Sequence, residues 1–179
     1  MGQMHRLFVV LASGLLIVAC GSSDEDSGHG NNPNSEPMTG RLAAFQTELK
    51  ELEDLIVGHE ATVKGAADLA AVTTEETKYM ADASGHQTEM GHKAEEMMPC
   101  THEGHGPHMD ALMTAMGKLK TELDAHSTNM KNAADLAATQ TEETSHNTAM
   151  KKVLGEIRTE HDEMAVDAAQ FSCPMEAAH

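Results

Sequence analysis

Gly65-Ala-Ala-Asp-Leu-Ala-Ala71, followed closely by Thr74-Glu-Glu-Thr77, recurs as Asn132-Ala-Ala-Asp-Leu-Ala-Ala138 and Thr141-Glu-Glu-Thr144, a shift of 67 residues. The same shift lays His59 on His126, Leu52 on Leu119 and Ile56 on Leu123. So many coincidences at one offset read as an internal duplication. Upstream of each copy the apolar positions step by four and three. One series is Phe45, Leu49, Leu52, Ile56, His59, Val63, Ala66 and Ala70; the other is Leu112, Met116, Leu119, Leu123, His126, Met130, Ala133 and Ala137. That spacing is the buried seam of a bundle helix.

Downstream, Tyr79, Ala83, His86, Met90, Ala94 and Met97 continue the pattern in the first copy. His146, Met150, Val153, Ile157, His161, Met164, Ala168 and Phe171 do so in the second, and Pro99 and Pro174 stop the two helices. Thr74 and Thr141, each with two glutamates behind it, suit an N-cap and an acidic first turn. The expectation is an all-α, up-down-up-down four-helix bundle made of a duplicated helical hairpin. Repeat 1 covers about 41–98, a His/Met/Gly/Pro-rich linker 99–108 and repeat 2 about 109–172, within a domain spanning 39–179.

The N-terminal region reads as an address. A basic start through Arg6 precedes an apolar run, Leu7 to Val18, which ends in Leu16-Ile17-Val18-Ala19-Cys20. This resembles the lipobox of bacterial lipoproteins, and the resemblance covers this segment only. It implies a signal peptide over 1–19, lipidation (palmitate included) of Cys20, and a cell-envelope location on a lipid anchor. In a Gram-negative cell, Gly21 and Ser22 after the cysteine imply the outer membrane, facing periplasm or exterior. Residues 20–38 are Gly, Ser, Asn, Pro and acid, a composition that reads as a flexible tether.

Composition narrows the function. Of 179 residues, 29 are Asp or Glu against 12 Lys or Arg, a net charge of −17 that repels nucleic-acid backbones. Aromatics are 2% of the chain, too few for sugar or base stacking, whereas His reaches 12 and Met 14. No nucleophile elbow, phosphate-cradling glycine loop, haem-attachment Cys motif or His-Glu-x-x-His occurs. The expectation is a protein that is not an enzyme.

The candidate chemistry lies in the histidines. With hairpin turns centred between residues 72 and 73 and between 139 and 140, His59, His86 and His126 fall at one height on three helices. Three converging imidazoles hold copper or zinc, and the neighbouring thioethers of Met90, Met130 and Met150 supply soft ligands that favour Cu(I). A hydrogen-bonded polar layer that fixes helix register fits the same positions. A second candidate metal site is His102, His105 and His108 in the linker. Cys100 and Cys173 fall at one end of the bundle, where a disulfide suits an oxidising compartment and a pair of metal-binding thiolates is the competing reading.

A di-iron carboxylate site requires Glu-x-x-His on two helices and inward glutamates at one height. Glu89-x-x-His92 and Glu143-x-x-His146 have the spacing but, with those turn centres, not the height. The functional expectation is therefore a membrane-anchored metal buffer, carrier or sensor. The alternatives are a structural or protein-interaction lipoprotein with an unknown protein partner and, further off, non-covalent haem binding.

Overall fold

The computed structural model describes residues 37–100 and 103–170. They form four helices and, among the described residues, no strand: α1 (Met38–Gly65), α2 (Leu69–Met97), α3 (His105–Asn132) and α4 (Leu136–Gln170). Consecutive helices pack side by side and α1 also lies on α4, closing a four-helix bundle around one core. α1 and α2 run antiparallel. His59, near the end of α1, meets Glu76 near the start of α2, while Arg41 at the start of α1 bonds the Glu96 carbonyl near the end of α2. No helix among the described residues is long and apolar enough to cross a membrane.

The tight connections decide where everything else falls. α1 stops at Gly65 because Ala66 turns to an extended conformation (φ −64°, ψ 137°), and Ala133 does the same after α3 (φ −64°, ψ 129°). Asp68 then caps α2 by accepting a 2.9 Å bond from the Ala71 amide; Asp135 accepts one of 2.8 Å from Ala138. Lys64 and Lys131 sit in the last turns of α1 and α3, where a cation complements the helix dipole. The turns thus occupy residues 66–68 and 133–135, and the Thr-Glu-Glu-Thr segments lie a full turn or more inside α2 and α4. This corrects the sequence reading, which took Thr74 and Thr141 as caps and set each turn more than five residues too late.

The core is layered. The main apolar cluster combines Phe45, Leu49, Leu52 and Ile56 of α1 with Leu112, Leu119 and Leu123 of α3, filled by Ala83, Met90 and Met97 of α2 and Met150, Leu154 and Ile157 of α4. A small second cluster, Val63, Val72 and Met130, lies by the tight turns. Between the two comes a layer of buried polar side chains.

α3 begins at His105, not at 109 as expected, so His105 and His108 belong to a helix and not to the linker. Gly106 and Pro107 fit there because first-turn amides have no intrahelical acceptor. Cys100 is disulfide-bonded, which removes it as a thiolate ligand. Cys20, the expected signal peptide, His102 and Cys173 lie outside the described residues, as does the expected tether up to residue 36; Met38, expected in that tether, is instead the buried first residue of α1.

Candidate metal centre

Four side chains make up the polar layer, one from each helix: His59, Glu76, His126 and Glu143. All four are buried, at 1%, 7%, 1% and 0% relative exposure respectively. Each occupies a seam position between apolar neighbours, His59 between Ile56 and Val63, and His126 between Leu123 and Met130. Glu76 lies one turn after Val72, and Glu143 one turn after Thr139, both buried. The pairs are related by the 67-residue shift, His59 with His126 and Glu76 with Glu143.

The donor atoms close a ring of alternating nitrogen and oxygen. His59 Nε2 lies 3.2 Å from Glu143 Oε2 and 3.4 Å from Glu76 Oε2. His126 Nε2 lies 3.2 Å from the same Glu76 oxygen and 3.6 Å from the same Glu143 oxygen. None of these pairs is aligned as a hydrogen bond: both nitrogens of each imidazole, both oxygens of Glu76 and Oε2 of Glu143 are buried without a hydrogen-bond partner. So many orphaned polar atoms at one depth are exceptional, since buried donors and acceptors are nearly always paired. Donor atoms of His59, Glu76 and His126 all lie within 4.8 Å of one another, close enough to share one ion, and Glu143 Oε2 approaches the two imidazoles from the other side.

The surroundings orient the four groups. His59 Nδ1 faces Glu75 Oε1 at 3.6 Å, and His126 Nδ1 faces Glu142 Oε1 at 3.7 Å, again a pair related by the repeat. A carboxylate behind the outer nitrogen turns the inner nitrogen toward the centre. Tyr79 stacks on His59 with centroids 3.8 Å apart, and His146 stacks on His126 at 3.7 Å. The Tyr79 hydroxyl and His146 Nε2, 2.9 Å apart, tie the two stacks together. The two candidate imidazoles stand nearly perpendicular, at 87°. Asn147 Nδ2 donates to Glu143 Oε1 at 2.7 Å, holding that carboxylate by its second oxygen.

Electrostatics follow from burial among charges. Burial alone would lower the His59 pKa, but the carboxylates of Glu143 and Glu76 outweigh it and hold the imidazole at about 9. Burial would raise Glu76; His126 and His59 override it and bring the carboxyl down to about 2. His146 has no adjacent anion of comparable effect, so burial, reinforced by His126 and His59, lowers it to about 3 and keeps it neutral. Burial, then Glu143 and Glu76, raise the Tyr79 phenol well above its ordinary value.

His59 and His126 of the sequence-derived set come together; His86 does not. His59 lies eight residues before the centre of its turn and Glu76 nine beyond it, whereas His86 lies nineteen beyond. At 1.5 Å per residue that puts His86 roughly 15 Å farther along the bundle. There its Nδ1 pairs with Glu48 Oε2 at 2.9 Å, with Glu51 Oε2 at 3.8 Å, on a partly exposed face. The misplaced turn centre produced this error and also concealed Glu76 and Glu143. It likewise hid the fact that Glu143-x-x-His146 does enter the layer, matched on α2 by Glu76-x-x-Tyr79 and not by Glu89-x-x-His92.

The linker histidines diverge as far as they are described. His105 Nε2 bonds the Met97 carbonyl at 3.1 Å, whereas His108 Nδ1 pairs with Glu160 Oε2 at 2.9 Å. Met90 and Met150 belong to the main apolar core and Met130 to the small cluster by the turns. Comparison with family models, curated proteins and solved structures finds no match to this chain.

Proposed function

We propose that the protein is a lipid-anchored cell-envelope module that holds one divalent transition-metal ion, of the zinc class, through His59, Glu76, His126 and Glu143. The observation that carries this reading is the ring of four buried side chains whose polar atoms face one another without hydrogen bonds. A divalent ion would meet the inner nitrogens and the carboxylate oxygens that face them at once. It also balances charge, since two carboxylates neutralise the ion and leave the layer uncharged in a medium where net charge is costly.

The donor set narrows the metal. Imidazole and carboxylate donors suit Zn(II), whereas Cu(I) seeks thiolate or thioether. Of the copper or zinc expected from the histidines, zinc is therefore the metal proposed. Every donor around this point comes from the chain itself and is buried, which suits a binding role. A haem iron would have to stand at the inner ring nitrogens, where the Glu76 and Glu143 carboxylates already lie within 3.2–3.6 Å. Buffer and carrier are the roles that such a site supports.

The test is metal content. Purified full chain incubated with Zn(II) and desalted is expected to retain about one ion, raising the thermal midpoint in a chelator-reversible manner. The double variant His59→Ala/His126→Ala is expected to retain none while keeping its helical circular dichroism. Retention of zinc unchanged in that variant would refute the assignment.

A further inference from the structure

A site buried this deeply needs a route for its ion, and the two halves of the bundle differ in the side chains that flank such a route. Between α2 and α3, beside the tight turns, a cleft of about 220 Å3 is lined by Leu69, Val72, Thr73, Glu76, Met130 and Lys131, with Thr139 of α4 at its side. It reaches the site through Glu76, whose side chain keeps 10% exposure; those of His59, His126 and Glu143 keep none.

The 67-residue shift defines the counterpart position, between α4 and α1. There Gln140 replaces Thr73, and Val63 replaces Met130. The Gln140 amide reaches across to α1 and donates to the carbonyls of Val63 at 3.4 Å and Lys64 at 3.3 Å. Thr73 is too short to cross: its hydroxyl turns back to the Leu69 carbonyl at 2.9 Å. Val63, beneath Gln140, is completely buried, whereas Met130, beside Thr73, retains 7% exposure.

We propose that the metal ion enters and leaves through the Thr73 cleft, and that Gln140 is the bolt that closes its counterpart. The inference rests on the metal-site reading above. Glu76, reached first from the cleft, receives the incoming ion and passes it to the imidazoles; the net negative charge of the chain favours the approach of cations, against the single ammonium of Lys131 at the cleft. One gated side gives slow, controlled exchange where two open sides would leak.

Reciprocal exchanges of the two residues test this. Cobalt(II) is the probe, its tetrahedral absorbance reporting uptake and chelator-driven loss in the full chain. Thr73→Gln, which can bond the Met130 and Lys131 carbonyls as Gln140 bonds Val63 and Lys64, is expected to slow uptake and loss alike. The expected change is about fivefold or more, with Kd kept within about twofold. Gln140→Thr is expected to speed both. Wild-type rates in Thr73→Gln overturn the proposal, as does a change in loss alone, which would mean altered ligands and not an altered path.

Failure of wild type to bind cobalt would overturn the site reading while leaving the cleft measurable by acylation of His59 and His126 with diethylpyrocarbonate, mapped by mass spectrometry. Slower acylation in Thr73→Gln then supports the cleft; an unchanged rate overturns it.

Discussion

Glu76 and Glu143 are the residues on which the chemistry depends, because a carboxylate removed from water requires a cation beside it. In this layer that cation is the protonated His59 imidazole, and an ion bound as proposed must displace its proton. Glu75 and Glu142 stand one residue earlier and act through the outer nitrogens of the same imidazoles. Substituting glutamine at both, Glu75→Gln and Glu142→Gln, leaves all four ligands in place but removes the groups that orient two of them. Zinc affinity measured by chelator competition is expected to fall about 10- to 100-fold. Unchanged affinity would mean that Glu75 and Glu142 do not orient the imidazoles.

The two imidazoles of the site were legible in the sequence, because His59 and His126 occupy seam positions at equivalent points of the repeat. The carboxylates were not, since a Thr-Glu-Glu-Thr segment looks like a solvated first turn until the helix start is known. The signal that locates that start was present in Asp68 and Asp135, inside the repeated Ala-Ala-Asp-Leu motif.

At the scale of elements, the hairpin turns set the register that brings His59, Glu76, His126 and Glu143 to one depth. Displacing a turn by one or two residues would rotate Glu76 or Glu143 out of the seam. The caps therefore contribute to both stability and site geometry. Asp68→Ala and Asp135→Ala are each expected to cost about 1 kcal/mol in denaturant unfolding, the usual worth of an N-cap. No loss in either variant would show that the turns are held by packing alone. Four helices and their apolar faces were readable from the four-and-three spacing, which reports burial directly; helix ends were less so, because Thr and Glu are tolerated both at caps and within helices.

For the whole molecule, the polar layer makes stability depend on pH in both directions. His59, raised to about 9, stabilises the metal-free fold fully below its unfolded value near 6.5, and that contribution is lost as pH rises through about 9. His146, lowered to about 3, acts oppositely, destabilising the fold progressively as pH falls below 6.5. Glu76, lowered to about 2, contributes above its unfolded value near 4.5 and loses this as pH falls through about 2.

The metal-free thermal midpoint is thus expected to peak near neutral or slightly acidic pH and to decline on either side. Zinc, which replaces the His59 proton, is expected to raise the midpoint more at pH 8.5 than at 6.5. Scans with zinc and with chelator at both values measure this, and a larger zinc effect at the lower pH would contradict it.

The coordination claim itself is tested most directly by X-ray absorption at the zinc edge of the loaded protein. Expected is a shell of nitrogen and oxygen at about 2.0–2.1 Å with the outer-shell signature of two imidazoles and no sulfur. A sulfur scatterer near 2.3 Å, or a chain that keeps no zinc through desalting, would contradict it.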